Sequence, residues 1–199
     1  MQSIKEMQKF ASGQAARTKW SKVLDIELAF MMNEFNILCD NVFNKAADIK
    51  LDDSSRQTTI QAIPLDKKDW NDGREKIYTI VRNGIIVKIG GTRNGMKNRF
   101  GSYLCGHHVS ERGKSGKMSV TNAHLYHTIE KDLLETDNVW EFYSWTLPEV
   151  KHTITILGIE TTVISQTYHA YESCCIGKYK SLTGIIPILC DNCDPAYKS

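Results

Sequence analysis

The sequence predicts an α/β fold: a small central β-sheet, mixed or antiparallel, flanked by helices and preceded by an N-terminal helical extension. Three observations predict it. Two short runs rich in β-branched and aromatic residues, KIYTIV and IIVKIG, flank Asn83-Gly84. Several segments carry apolar residues every third or fourth position, before and after that pair. A second β-rich pair, HTITILGIETTVIS, doubles back around Leu157-Gly158. Branched and aromatic side chains suit a pleated surface, and a three-to-four spacing lines one side of a helix.

Residues 1 to about 50 read as helical. Leu24, Leu28, Met31, Phe35, Leu38 and Val42 line one side of a long helix, whose ordinary role is packing. Lys5, Lys9, Arg17, Lys19 and Lys22 against Glu6 make its approach basic, which also suits a supporting nucleic-acid contact. Leu51 to Asp72, with LDDSS, Pro64 and NDG, reads as a connector holding one short strand. The chain thus divides into a helical extension, residues 1–72, and a domain, residues 73–199.

The hairpin that follows has two possible registers. A two-residue turn at Asn83-Gly84 sets Tyr78 opposite Ile89, with Lys88 on the other face. A three-residue loop, Arg82 to Gly84, sets Tyr78 opposite Lys88, a phenol beside an ammonium, and turns Ile77, Val81, Val87 and Ile89 to the core. Both loops are common, and the local sequence does not choose.

A helix is predicted from about Asn94, with Met96, Phe100 and Leu104 on one side and Arg99 and Tyr103 four apart on another. Gly101 costs helix propensity, so the element is short. A polar loop, 105–120, comes next; from Arg93 to Lys117 six basic residues stand against Glu111 alone. Asn122 to Glu135 reads as a helix, Val139 to Trp145 as a third strand, and His152 to Ser165 as the second hairpin. The last helix is predicted to be capped by Ser165 and ended by Gly184 and Pro187.

Composition narrows the class. With 199 residues, 41% hydrophobic and 24% charged, the chain is an ordinary globular protein, and a net charge of +2 means that partners must be argued from where charge sits. No apolar run spans a bilayer, and MQSIKEMQKF lacks the apolar core of a secretion signal. Six cysteines without such a signal point to reduced thiols in the cytoplasm. Cys190-x-x-Cys193 has zinc-ligand spacing and His107-His108 lie beside Cys105. Cys174 and Cys175 would point apart on a helix, however, which weighs against a zinc site.

Four fragments in order now carry a resemblance: Ile77-Tyr78, then Lys88-Ile89-Gly90 after nine intervening residues, Arg99 nine beyond that glycine, and Glu172 before KYK. Together they resemble the GIY-YIG nucleases, over roughly Lys76 to Ile188. The sequence departs from that pattern at Lys76, where the first motif has glycine, at Lys88, where the second usually has tyrosine, and at Tyr103, where many members carry histidine. A late asparagine of the family has Asn192 as its nearest counterpart. Lysine in the second motif and the Gly-His-rich basic loop bring the chain nearest to the restriction-endonuclease branch.

The resemblance implies a metal-dependent endonuclease that hydrolyses double-stranded DNA, and the residue types suit that chemistry. Phosphodiester cleavage needs a water, a base for its proton, and positive charge where the pentacovalent phosphorus gathers negative charge. Tyr78 is the candidate base. A free phenol, with pKa about 10, is a poor base at neutral pH, and an ammonium at Lys88 would favour the phenolate. Arg99 would hold the phosphate with its planar fork. Glu172 would ligate one Mg2+, completed by waters and phosphate oxygens and bound weakly until DNA arrives. Asp132 and Glu135 are conceivable second ligands without supporting spacing. Tyr103, His107 and His108 are supporting candidates, and Arg93, Lys97, Arg112, Lys114 and Lys117 are DNA-contact candidates. A strand tyrosine ordinarily packs, a strand lysine ordinarily lies at a solvated edge, and a helix glutamate is ordinarily a surface group.

Within that reading a type II restriction enzyme is expected, because homing enzymes of the family carry a long linker and separate DNA-binding modules after the nuclease domain. Cutting both strands with one site per chain implies a homodimer. The alternatives are a repair or mobile-element nuclease and a DNA-binding protein that has lost catalysis, as the departures at Lys76, Lys88 and Tyr103 would suggest.

Overall fold

Strand β3 (Lys76–Arg82) sits inside the molecule with both neighbours paired, and six of its seven residues are buried. The computed structural model describes residues 30–52, 54, 59–105 and 120–190. Around β3 lie β1 (Asn44–Asp52), β2 (Thr59–Pro64), β4 (Ile85–Thr92) and β5 (Trp140–Thr146), in the order β2-β1-β5-β3-β4, every pair antiparallel. The central sheet expected from the sequence is therefore antiparallel, and helices flank it on both faces.

One face packs on α2 (Lys67–Asn71), α3 (Gly95–Leu104) and α4 (Val120–Glu135). Here Trp70, Phe100, Tyr103, Leu125 and Ile129 meet Tyr78, Ile80 and Phe142. The other face packs on α1 (Met32–Leu38) and α5 (Tyr168–Thr183), where Phe35, Ile176 and Tyr179 meet Ile77, Val81 and Ile89. Because both faces are covered, β3 is buried on both sides rather than alternately. β4 is an edge strand whose outer side is guarded. Ile86 N–H donates to Phe30 O at 3.1 Å, and Leu189 N–H to Val87 O at 2.8 Å.

The helical reading of residues 1 to about 50 is corrected over its last part. Helix α1 stops at Leu38, and β1 and β2 follow. NKAADIKLD has little local β signal, and pairing with β5, some ninety residues later, makes it a strand. A division at residue 72 accordingly does not follow the sheet, since β1 and β2 precede it and belong to it.

The first hairpin takes neither expected register. Asn83 (φ 49°) and Gly84 (φ 82°) form a two-residue turn with Arg82 opposite Ile85. A bulge in β4 at Val87 then shifts the ladder by one, so Ile80 faces Lys88 and Tyr78 faces Gly90. The second hairpin, β6 (Val150–Ile156) and β7 (Ile159–Ser165), forms as read and stands as a separate two-stranded sheet.

Candidate active site

Register decides the site. Tyr78 faces Gly90, and a Cβ at position 90 would overlap the tyrosine hydroxyl and its Cζ, so the phenol can lie across β4 only because that residue is glycine. On α3, Arg99 and Tyr103 stand one turn apart on the side facing the sheet. The three meet: Arg99 Nε donates to the Tyr78 hydroxyl at 2.8 Å and to the Tyr103 hydroxyl at 3.2 Å, and the two hydroxyls are hydrogen-bonded to each other. The guanidinium carbon also stands 4.6 Å from the Tyr103 ring centroid and 5.7 Å from that of Tyr78, within cation–π range.

Burial shapes the electrostatics. Tyr78 and Tyr103 are 0% exposed, while Arg99 is half-buried. Burial pushes the Tyr103 phenol well above its usual range, with Tyr78 adding to the rise and Arg99 opposing it. Tyr103 therefore keeps its proton at neutral pH and can donate it to the Tyr78 oxygen, which then accepts from both neighbours. Burial alone would lower the Arg99 guanidinium, yet the two phenol oxygens outweigh it and the net shift is upward, so the charge is permanent.

Glu172 arrives from the opposite face. Helix α5 begins at Tyr168 after an N-cap at Thr167, whereas Ser165, the expected cap, ends strand β7. The cap is made by Glu75 instead. Its Oε2 accepts from Thr167 N–H at 2.9 Å and from the Thr167 hydroxyl at 3.1 Å, 92 residues apart in sequence. This start brings Glu172 beside Gly91, where a Cβ on Gly91 would stand 3.0 Å from Oε2. Desolvation raises the Glu172 carboxyl above its ordinary value, against lowering by Lys88, His169, Arg99 and the Gly91 N–H. Glu172 and Arg99 thus share one field, each half-buried, beside the Gly90-Gly91 step.

Lys88 is not the cross-strand partner of Tyr78. It faces Ile80, is 5% exposed, and its Nζ donates to Leu189 O at 2.9 Å; its charge instead bears on Glu172. Lys76, in the place of the first motif's glycine, is 0% exposed and held by Asp69 Oδ1 and Thr146 Oγ1, each 2.6 Å from Nζ. It is a structural ammonium tying α2 to β5. Asp132 is engaged by protein donors. Its carboxylate takes a bidentate Arg82 (2.8 Å to each oxygen) as well as Trp140 Nε1 at 2.7 Å. Arg93 and Lys97 are exposed at the start of α3. Arg93 also lines a groove of about 630 Å³ with Arg74, Glu75, Asn94 and Gln166, and none of Tyr78, Arg99, Tyr103 and Glu172 lines it. His107, His108, Arg112, Lys114, Lys117, Asn192 and Cys193 lie outside the described residues. Cys190, from the Cys-x-x-Cys pair, is buried, its Sγ 3.2 Å from Ile89 N and 3.1 Å from Ile89 O.

Two solved nucleases share this fold. The restriction endonuclease HPY188I, in complex with product DNA, superposes with a TM-score of 0.53 at 23% identity, covering 84% of this chain and 90% of that one. A mutant of bacteriophage T4 EndoII gives 0.52 at 22%, covering 76% and 96%. At these identities the likeness is one of fold. No protein-family model matches the sequence, and no curated protein does.

Glu172 also meets the chemical requirement for a cation. Among the described residues no three histidine, cysteine or acidic side chains group together. An ion here would have one hard protein oxygen, and a small oxygen-seeking cation such as Mg2+ fits that donor set, with water and phosphate completing its shell. Lys88 and Arg99 nearby would oppose the ion unless phosphate charge is present. Of the residues expected from the sequence, Tyr78, Arg99 and Tyr103 are in direct contact and Glu172 lies near them, whereas Glu75, whose capping role has no local signal, is not among those expected.

Proposed function

We propose that the protein is a Mg2+-dependent DNA endonuclease of the GIY-YIG type, cutting double-stranded DNA as a type II restriction enzyme. The observation that carries the reading is the meeting of the Tyr78 and Tyr103 hydroxyls with the Arg99 guanidinium, next to Glu172 at the Gly90-Gly91 step. The shared fold with two nucleases supports it.

In this mechanism Glu172 would hold a single cation, which would supply polarisation of the phosphate and positive charge for the leaving oxygen. Arg99 offers the phosphate the guanidinium nitrogens not spent on the phenols and offsets charge on its equatorial oxygens. Tyr78, once it has given up its own proton to solvent and with Tyr103 donating to it, would accept the proton of the attacking water. Lys88 balances the Glu172 carboxylate before the ion arrives. The exposed Arg93 and Lys97 would meet the DNA backbone, and phosphate contacts of this kind position the duplex without reading its sequence. Arg112, Lys114 and Lys117, with His107 and His108, would extend that contact. One site per chain and two strands to cut call for a homodimer on a near-palindromic sequence. The free thiols at Cys39, Cys105, Cys174, Cys175 and Cys190 support a reducing compartment such as the cytoplasm. No helix among the described residues is long and apolar enough to cross a membrane.

The full burial of Tyr78 and the engagement of Lys88 by Leu189 favour one competing reading, a DNA-binding protein without catalysis. Incubating plasmid DNA with Mg2+ separates the two. Discrete fragments from the wild type and none from Glu172→Gln are expected. Intact plasmid bound by both proteins would establish the binding-only reading, and a fragment pattern following DNA structure would indicate a repair or mobile-element nuclease.

A further inference from the structure

The chain makes the same tight turn twice with different residues. At the tip of the first hairpin Asn83 takes φ 49° and Gly84 82°; at the second, Leu157 takes φ 52° and Gly158 82°. Asparagine tolerates the left-handed region because its short polar side chain bonds locally, and leucine rarely adopts it. Leu157 is also 98% exposed. A leucine that is both conformationally disfavoured and fully wetted at a hairpin tip does nothing for the folding of that hairpin.

The tip continues an apolar face. In the β6–β7 ladder Val150, His152, Ile154 and Ile156 share a side with Ser165, Val163, Thr161 and Ile159, while Lys151, Thr153, Thr155, Glu160, Thr162 and Ile164 share the other. Towards the body the first face is half-covered, at Val150, Thr161 and Val163; towards the tip it opens, with Ile154, Ile156 and Ile159 at 43%, 47% and 68% exposure. With seven residues in each strand, the ribbon runs about 20 Å, and a lone two-stranded ribbon is marginal in water.

We infer that the β6–β7 ribbon is a dimerisation arm that packs, apolar face to apolar face, on the same ribbon of a second copy of this chain. Ile154, Ile156, Leu157 and Ile159 together present on the order of 500 Å² of surface, the size at which a monomer's largest patch commonly marks an interface. Pairing two copies would bury about 1,000 Å², the lower bound for a specific complex. A two-fold axis makes the patch complementary to itself. Charge favours this occupant over DNA. From Val150 to Ser165 the ribbon carries one Lys and one Glu, and Lys151 is already paired to Glu149 at 2.7 Å, so no free cation along the shaft meets phosphate. The inference rests on the endonuclease reading only for why two copies are needed; the surface itself is independent of it.

Sedimentation velocity of the full chain, without DNA or metal, from sub-micromolar to tens of micromolar, tests the arm. Leu157→Asn restores the Asn-Gly pair that the first hairpin uses, so the turn is kept while the apolar tip is lost; Ile159→Thr removes the next contact and keeps a β-branched residue. The wild type is expected to dimerise with rising concentration, and each variant to dimerise at least roughly tenfold more weakly with an unchanged circular dichroism spectrum. A wild type that stays monomeric throughout, or variants that dimerise as tightly as it does, would overturn the inference. So would a monomeric wild type whose DNA affinity alone falls on Leu157→Asn, which would make the tip a DNA wedge. Because this readout contains neither DNA nor metal, its failure is distinct from failure of the plasmid digest.

Discussion

Replacing Gly91 by alanine tests whether the Glu172 carboxylate stands at the reacting phosphate. The added Cβ would lie 2.6 Å from Tyr168 Cδ2, 3.0 Å from Glu172 Oε2 and 3.4 Å from the Tyr168 carbonyl oxygen. Non-bonded heavy atoms settle at about 3.5–4.0 Å, so the ring must yield by about 1 Å and the carboxylate by about half that. The helix cannot simply back away. Cys175, Ile176 and Tyr179 anchor it in the lower core, and Glu75 ties its first turn. Overpacking of this kind costs about 1–3 kcal/mol of stability. A displacement near 1 Å in a reacting constellation costs about 100-fold in rate, or about 2.7 kcal/mol at the barrier. The expected result is a melting temperature lower by a few degrees and a single-turnover plasmid cleavage rate lower by about two orders of magnitude at saturating Mg2+. Gly101→Ala and Gly177→Ala are the controls. No atom lies within 4 Å of a Cβ at either helical position, so each should leave the rate alone and stabilise by about 0.5–1 kcal/mol. A Gly91→Ala enzyme that cleaves at the wild-type rate despite its lowered melting point would refute the placement of Glu172.

Three further outcomes are expected. Arg99→Lys keeps the charge but loses the fork shared between two phenols and a phosphate, so the cleavage rate should fall about 10²–10³-fold with folding intact, as read by turnover and far-ultraviolet dichroism; undiminished cleavage would remove Arg99 from the site. Glu172, raised by burial, is more at home protonated. Its contribution to stability is therefore complete below the free carboxylate's value and lost as pH climbs through the raised one. Glu172→Gln should accordingly melt above the wild type at neutral pH in the absence of metal, while cleaving nothing when Mg2+ is supplied. A melting point below the wild type would reduce Glu172 to a structural group. Asp132 has the opposite sign: burial pushes its carboxyl up, but Arg82, Trp140 and Asn138 together bring it below the usual range, so its stabilisation holds above the unfolded value and is lost as pH falls through the folded one. Asp132→Ala should cost about 2–4 kcal/mol in a denaturant melt, with cleavage per folded molecule unchanged; a rate loss beyond the unfolded fraction would return Asp132 to the metal.

By itself the sequence determined whatever rests on neighbours along the chain. Turn chemistry at Asn83-Gly84, and Gly158 between two β-rich runs, places both hairpins, and the spacing of Met96, Phe100 and Leu104, and of Leu125, Ile129 and Leu133, places two helices. Tyr78, Arg99 and Glu172 are singled out through the resemblance to the GIY-YIG nucleases, which the order and intervals of these residues carry. Only the tertiary structure decided that NKAADIKLD is a strand, because its partner β5 is far away in sequence and a peptide of mixed propensity takes the form its partner imposes. Only the bulge at Val87 set Tyr78 over Gly90 and turned Lys88 to Leu189, since one extra residue in a ladder changes every pairing beyond it and leaves no mark in composition. Burial, too, is a property of the whole fold. It makes Lys76 a sealed structural cation and keeps the Tyr103 proton in place, and no stretch of chain shorter than the domain could have established either.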